Sequence, residues 1–211
     1  MNKLTEHFFT ASTNVFTQVD VATAIGGSPY SYHGLIKRAI ANGEILNIRR
    51  GLYCLAPKYQ KKPLSVYSLA EQIYGPSYIS LETALSYSGW IPEAVYTCTS
   101  VCYRSAKEFA TPLGMFSYKP VPQHTFYAEV ERQKDKDGNV FFIATPAKAL
   151  ADYIYLHRLN WRGISDAMMS LRIDEEELLS VKQQELSRLL DNYKNGRIKR
   201  FLTGWLEVLE K

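Results

Sequence analysis

The chain has 211 residues, of which 46% are hydrophobic, 13% aromatic and 22% charged, a balance that lets it bury a core and excludes a disordered or low-complexity protein. Its net charge of +4 is uneven: residues 1–62 hold eight Lys/Arg against three acids, while the remainder holds 17 against 18, which places a polyanion-binding footprint in the N-terminal third. No apolar run approaches the roughly 18 residues of a membrane span, so a soluble protein is expected.

Leu4, Phe8 and Phe9 predict a short first helix, too brief to stand without packing on something else. Thr17 caps a second helix through Val19, Val21, Ala22 and Ile25, with Asp20 completing a capping box and Gly26-Gly27 ending it. Ser28-Pro29 starts a third helix, because serine supplies the cap and proline is tolerated at the first helical position. Tyr32, Leu35, Ile36, Ala39 and Ile40 form its apolar stripe, with Tyr30, Ser31, His33, Lys37 and Arg38 off it, and Asn42-Gly43 closes it. Residues 44–56 read as a hairpin turning at Arg49-Arg50-Gly51. The polar, basic stretch from Pro57 to Pro63 marks a boundary between a domain of residues 1–60 and one of residues 61–211.

Beyond it the pattern predicts a helix from Val66 to Tyr74, a short strand from Tyr78 to Ser80 and a helix from Leu81 to Ser88. Ala94 to Tyr103, Gly114 to Val121, Thr125 to Glu131 and Val140 to Ala144 read as strands, with Asp137-Gly138 as the turn before the last. Thr145-Pro146 caps a helix through Leu156, and the tail from Gly163 is helical, interrupted near Asp174 and at Asn195-Gly196. The fold class is α+β: an N-terminal winged helix-turn-helix, then a larger domain with a mainly antiparallel sheet and a helical C-terminal part.

Helix, Gly-rich turn, helix and basic hairpin, in that order, point to double-stranded DNA. Ser28, Tyr30, Ser31 and His33 near the start of the third helix are the candidates for base edges or phosphates. Lys37 and Arg38 are placed for the groove wall, and Arg49 and Arg50 for phosphates or the adjacent minor groove. No acid occurs between Asp20 and Asn42 to oppose them.

Rival readings have weaker supports. A metal-dependent nuclease would draw on Glu129 and Glu131, two apart on a predicted strand, with Asp135 and Asp137 in the following turn, but no phosphodiesterase motif accompanies them. His124 and His157 lack a spaced partner, Glu82 reads as a cap-proximal carboxylate, and Lys148 and Asp152 are spaced to pair on one helix. Cys98 and Cys102 lack the further ligands a zinc site needs. Three cysteines and a start without an apolar signal core predict a reduced, cytoplasmic protein. An interaction adaptor would rest on Trp90, Tyr96, Phe116, Tyr118, Phe126 and Tyr127, which are read chiefly as core. No enzyme, cofactor or metal is expected.

The run Ile36-Lys37-Arg38-Ala39, Gly43 and Ile48-Arg49-Arg50-Gly51-Leu52-Tyr53 resembles the winged helix of the abortive-infection E type (AbiE) antitoxins of bacterial type IV toxin–antitoxin pairs. The resemblance continues through residues 78–85, Gly89, Ile91-Pro92, residues 111–114 with Phe116-Ser117-Tyr118, and residues 144–152, and so spans residues 15–160. It implies a repressor of its own operon, bound at promoter inverted repeats, with a nucleotidyltransferase-like toxin as functional partner, antitoxin activity in the second domain and no stable complex with the toxin.

Overall fold

A computed structural model describes residues 1–210, the side chain of Pro29 excepted. The N-terminal lobe runs α1 (Lys3–Thr10), β1 (Val15–Thr17), α2 (Gln18–Ile25), α3 (Pro29–Ala41), β2 (Ile45–Arg49) and β3 (Leu52–Leu55). The short α1 is held by tertiary contacts at both its start and its inner face. Asn2 caps it, accepting from the Leu4 amide, and donates its own backbone N–H to the buried Glu44 carboxylate at 2.6 Å. Leu4 and Phe8 enter a core with Phe16, Val21, Ile36, Ala39, Ile45, Tyr53 and Leu55, where Phe8 stacks on Phe16 at 3.9 Å between ring centroids.

The expected caps are present: Thr17 and Asp20 form a reciprocal capping box, and the Ser28 side chain accepts from the Ser31 amide. Along α3, Ile36 and Ala39 are buried while Ile40 is 38% exposed, so the apolar stripe is narrower than its sequence spacing predicts.

β1, a three-residue strand absent from the sequence reading, pairs with β3, and β3 with β2. Asn47 pairs with Tyr53 and Arg49 with Leu52, which leaves Ile48 as an extra residue that bends the hairpin before its tip. Gly51 at that tip has φ +79°, a conformation costly for any residue with a Cβ.

After a 3-10 turn at Pro57–Tyr59 come α4 (Val66–Ile73), β4 (Ser77–Ile79), α5 (Leu81–Tyr87), β5 (Thr97–Cys102), β6 (Lys107–Thr111), β7 (Gly114–Pro120), β8 (Val130–Lys134) and β9 (Val140–Ala144). Helices α6 (Pro146–Leu156), α7 (Ile164–Leu171), α8 (Glu175–Leu179), α9 (Gln183–Asn192) and α10 (Gly196–Leu209) follow. The sheet order is β6-β7-β5-β4-β9-β8. Three pairings are antiparallel, and two, β4 with β9 and β5 with β7, are parallel, so the sheet is mixed.

Two strand assignments change. Residues 125–129 form a turn instead of a strand: the Asn192 side chain takes the Thr125 amide at 2.7 Å and donates to its carbonyl, replacing a strand neighbour. The edge strand β6 carries one apolar side chain of any size, Phe109, and so shows no alternation in sequence.

The period of two in β3 joins the lobes. Tyr53 and Leu55 face the N-terminal core, whereas Leu52 and Cys54 belong, with Ile48, to the large core of the second lobe. All three cysteines are free and buried, and burial alone pushes the Cys54 thiol up to about 12. No helix among the described residues is long and apolar enough to cross a membrane.

Candidate nucleic-acid interface

Helix α3 buries Ile36 and Ala39 and thereby turns the opposite side outward. Tyr30, Ser31, His33, Lys37 and Arg38 line one open depression of about 520 Å³ around Gly34. Gly34 adds no side chain to it, and the nearest neighbour to a Cβ there would be the Arg38 guanidinium, 4.0 Å away. Tyr30 is 90% exposed at the start of the helix. Tyr32, by contrast, turns inward against the N-terminal core.

Two of the expected residues have local partners. The Ser28 hydroxyl is engaged as the cap of α3, at the edge of the outward face. His33 Nε2 accepts from the Gln18 side chain at 2.8 Å, which fixes its ring at the junction of α2 and α3. Ser31, Lys37 and Arg38 are exposed.

The hairpin tip divides its two arginines. Arg49 Nε donates to the carbonyl of Ile73 at 2.7 Å, and Nη1 to the Arg50 carbonyl at 3.2 Å. Ile73 is the last residue of α4, so the guanidinium satisfies an orphan carbonyl at the negative end of that helix. Arg49 thus fastens the hairpin to the second lobe while Arg50 stays exposed at the tip. Arg104 and Lys107, from the β5–β6 turn and the first residue of β6, complete an open cleft with these two arginines. Sequence reading missed them because more than fifty residues separate them from the hairpin; only the docking of β2 beside β6 unites the four.

The carboxylates considered for metal chemistry have other work. Glu129 is paired with Arg188, and Glu131 accepts from Gln133. Asp135 accepts from the amides of Asp137 and Asn139 and from the Asn139 side chain, the pattern of a structural turn. Among the described residues no three metal-ligating side chains converge. His157 does have a partner, Glu82 at 3.2 Å, supplied by another helix.

Lys148 and Asp152, spaced to pair on one helix, are not in direct contact as an ion pair. Both are fully buried, and the Tyr193 hydroxyl stands between them, donating to Asp152 Oδ1 at 2.6 Å and accepting from Lys148 Nζ at 3.0 Å. Tyr78 and Ser80 donate to Asp152 Oδ2 at 3.1 and 2.8 Å, and Lys148 also donates to Gln123 at 2.6 Å. Desolvation holds the lysine below its ordinary range, opposed by the charges of Asp152 and Glu129. The network ties α6, β4 and the end of α9 together. Of the aromatics weighed as an adaptor surface, Trp90, Phe116 and Tyr118 are core, while Tyr96 is 90% exposed.

No protein-family model matches the chain, and no curated protein matches it.

Proposed function

We propose that the chain is a double-stranded-DNA-binding protein whose N-terminal lobe acts as a winged helix-turn-helix, with α3 as the reading helix and the β2–β3 hairpin as the wing. The observation that carries this reading is the outward side of α3, where Tyr30, Ser31, His33, Lys37 and Arg38 share one exposed depression with no acidic side chain lining it. Ser31, His33 and Tyr30 read base edges near the start of the helix, while Lys37, Arg38 and Arg50 neutralise phosphates. Arg49 sets the angle of the wing through Ile73.

The resemblance to AbiE antitoxins extends the reading. The protein works in the cytoplasm without a cofactor, represses its own promoter at inverted repeats, and counters a nucleotidyltransferase-like toxin without a stable complex. The test is a mobility-shift titration with the DNA upstream of its own gene. Binding is expected to favour that DNA over a random duplex, and Ser31→Ala with His33→Ala to change the preferred sequence more than the non-specific affinity. Equal affinity for both duplexes in the parent would remove the base-reading role. Rescue of growth on co-expression with a neighbouring nucleotidyltransferase gene tests the antitoxin half.

A further inference from the structure

Tyr96, 90% exposed just before β5, lines two neighbouring cavities of the second lobe. The larger, of about 510 Å³, brings together Tyr96 and Tyr153, the carboxylates Glu82 and Glu93, and apolar lining that includes Ile91 and Leu171. These side chains come from α5, α6, the end of α7 and the segment that leads into β5. Among the described residues no lysine or arginine lines the cavity. None of its groups takes part in the duplex contact proposed for α3 and the hairpin.

The walls are held from behind. His157 packs on the Tyr153 ring at 4.1 Å between centroids, and its Nε2 meets Glu82 Oε1 at 3.2 Å. Leu81, immediately before Glu82, is buried with φ +59°, a conformation that a leucine holds only where its packing imposes it. Arg172 donates to Glu93 Oε1, and this hydrogen bond holds the carboxyl below its usual range, so it is ionised at neutral pH. Each of these contacts takes one oxygen of a carboxylate that can accept at two. Both glutamates act on Tyr153: burial first, then the Glu82 and Glu93 charges, hold its phenol above the usual 10. The cavity thus joins negative potential to aromatic rings.

Two carboxylates repel an anion, and a hydrated metal ion gains nothing from rings and aliphatic side chains. An organic ammonium gains from all three: charge-assisted hydrogen bonds to the carboxylates, attraction to the ring faces, and contact of its alkyl chain with the apolar lining. Two carboxylates on one cavity match a ligand with two ammonium groups. We propose that this cavity is a binding site for an aliphatic diamine, with its ammonium groups at Glu82 and Glu93 and its alkyl chain against Ile91, Leu171 and the tyrosine rings. The site is independent of the DNA-binding reading.

The experiment is isothermal titration calorimetry of the full-length protein with cadaverine at pH 7 and low salt, with pentanediol as the uncharged analogue and magnesium chloride as competitor. Saturable binding of one cadaverine per chain is expected, with none for pentanediol and no displacement by magnesium at equal concentration. Glu93→Gln, which keeps an acceptor for Arg172, weakens binding about tenfold or more. Tyr96→Ala, at an exposed position, weakens it about fivefold. Glu6→Gln removes one negative charge from the N-terminal lobe and leaves the affinity unchanged. Absence of saturable binding to the parent overturns the proposal, as does an affinity unchanged in Glu93→Gln or an equal fall in Glu6→Gln, either of which places the amine on general surface charge. Displacement by magnesium, or an affinity unchanged in Tyr96→Ala, removes the rings from the site and the organic class of ligand with them.

Discussion

Tyr193→Phe removes one oxygen from the centre of the buried network and leaves the packing nearly intact. The hydroxyl makes two hydrogen bonds to groups without solvent access, donating to Asp152 at 2.6 Å and accepting from Lys148 at 3.0 Å. A hydrogen bond to a charged group contributes about 1.5–3 kcal/mol, and a buried charge left short of partners costs more than the bond itself. Asp152 keeps Tyr78 and Ser80, and Lys148 keeps Gln123, so the loss falls near the lower end for two bonds, about 3 kcal/mol at pH 7. Its pH dependence has a definite sign. Burial, and next the Asp152 charge, hold the Tyr193 phenol well above its usual 10, whereas in the unfolded chain it ionises near 10. Its contribution is therefore present below pH 10 and lost as the pH rises beyond it. Urea unfolding followed by the fluorescence of the buried Trp90, Trp161 and Trp205 measures both effects. A difference under about 1 kcal/mol at pH 7, or a gap between parent and variant that widens from pH 9 to 11, refutes the reasoning.

Three further outcomes are expected. In Gly204→Ala the new Cβ overlaps the Arg162 carbonyl, a backbone atom that cannot step aside; despite the better helix propensity of alanine, α10 is displaced and the variant loses about 3 kcal/mol in the urea assay, whereas a raised midpoint would contradict the close approach. Gly34→Ala meets only the far end of Arg38, so it stabilises α3 by about 0.5–1 kcal/mol by thermal melting, while Gly34→Glu, placed among Lys37 and Arg38, weakens duplex binding in the mobility-shift titration. For Glu44→Gln, the hydrogen bond from the Asn2 amide holds the native carboxyl below its usual 4.5. The variant is therefore less stable than the parent by about 1 kcal/mol above that pH, and the two converge as the pH falls through the folded-state value; a constant difference from pH 6 to pH 3 would show that the charge is not involved.

Where local chemistry dominates, the sequence alone determined the outcome. Thr17 with Asp20, Ser28 with Pro29 and Thr145 with Pro146 start their helices as their side chains dictate, because capping needs partners only three residues away. The outward residues of α3 were legible for the same reason: helical periodicity separates them from Ile36 and Ala39.

Contacts between distant residues were decided by the tertiary structure. The two parallel pairings, the conversion of residues 125–129 from strand to turn by Asn192, and the burial of Lys148 and Asp152 behind Tyr193 depend on which elements meet, and a period of two or 3.6 carries no record of that. The same holds for Arg49, which sequence places at a free tip and the fold fastens to the end of α4. Arg104 and Lys107 acquire their meaning only from where the hairpin docks, because an electrostatic surface is set by distances in space and the chain specifies only distances along itself.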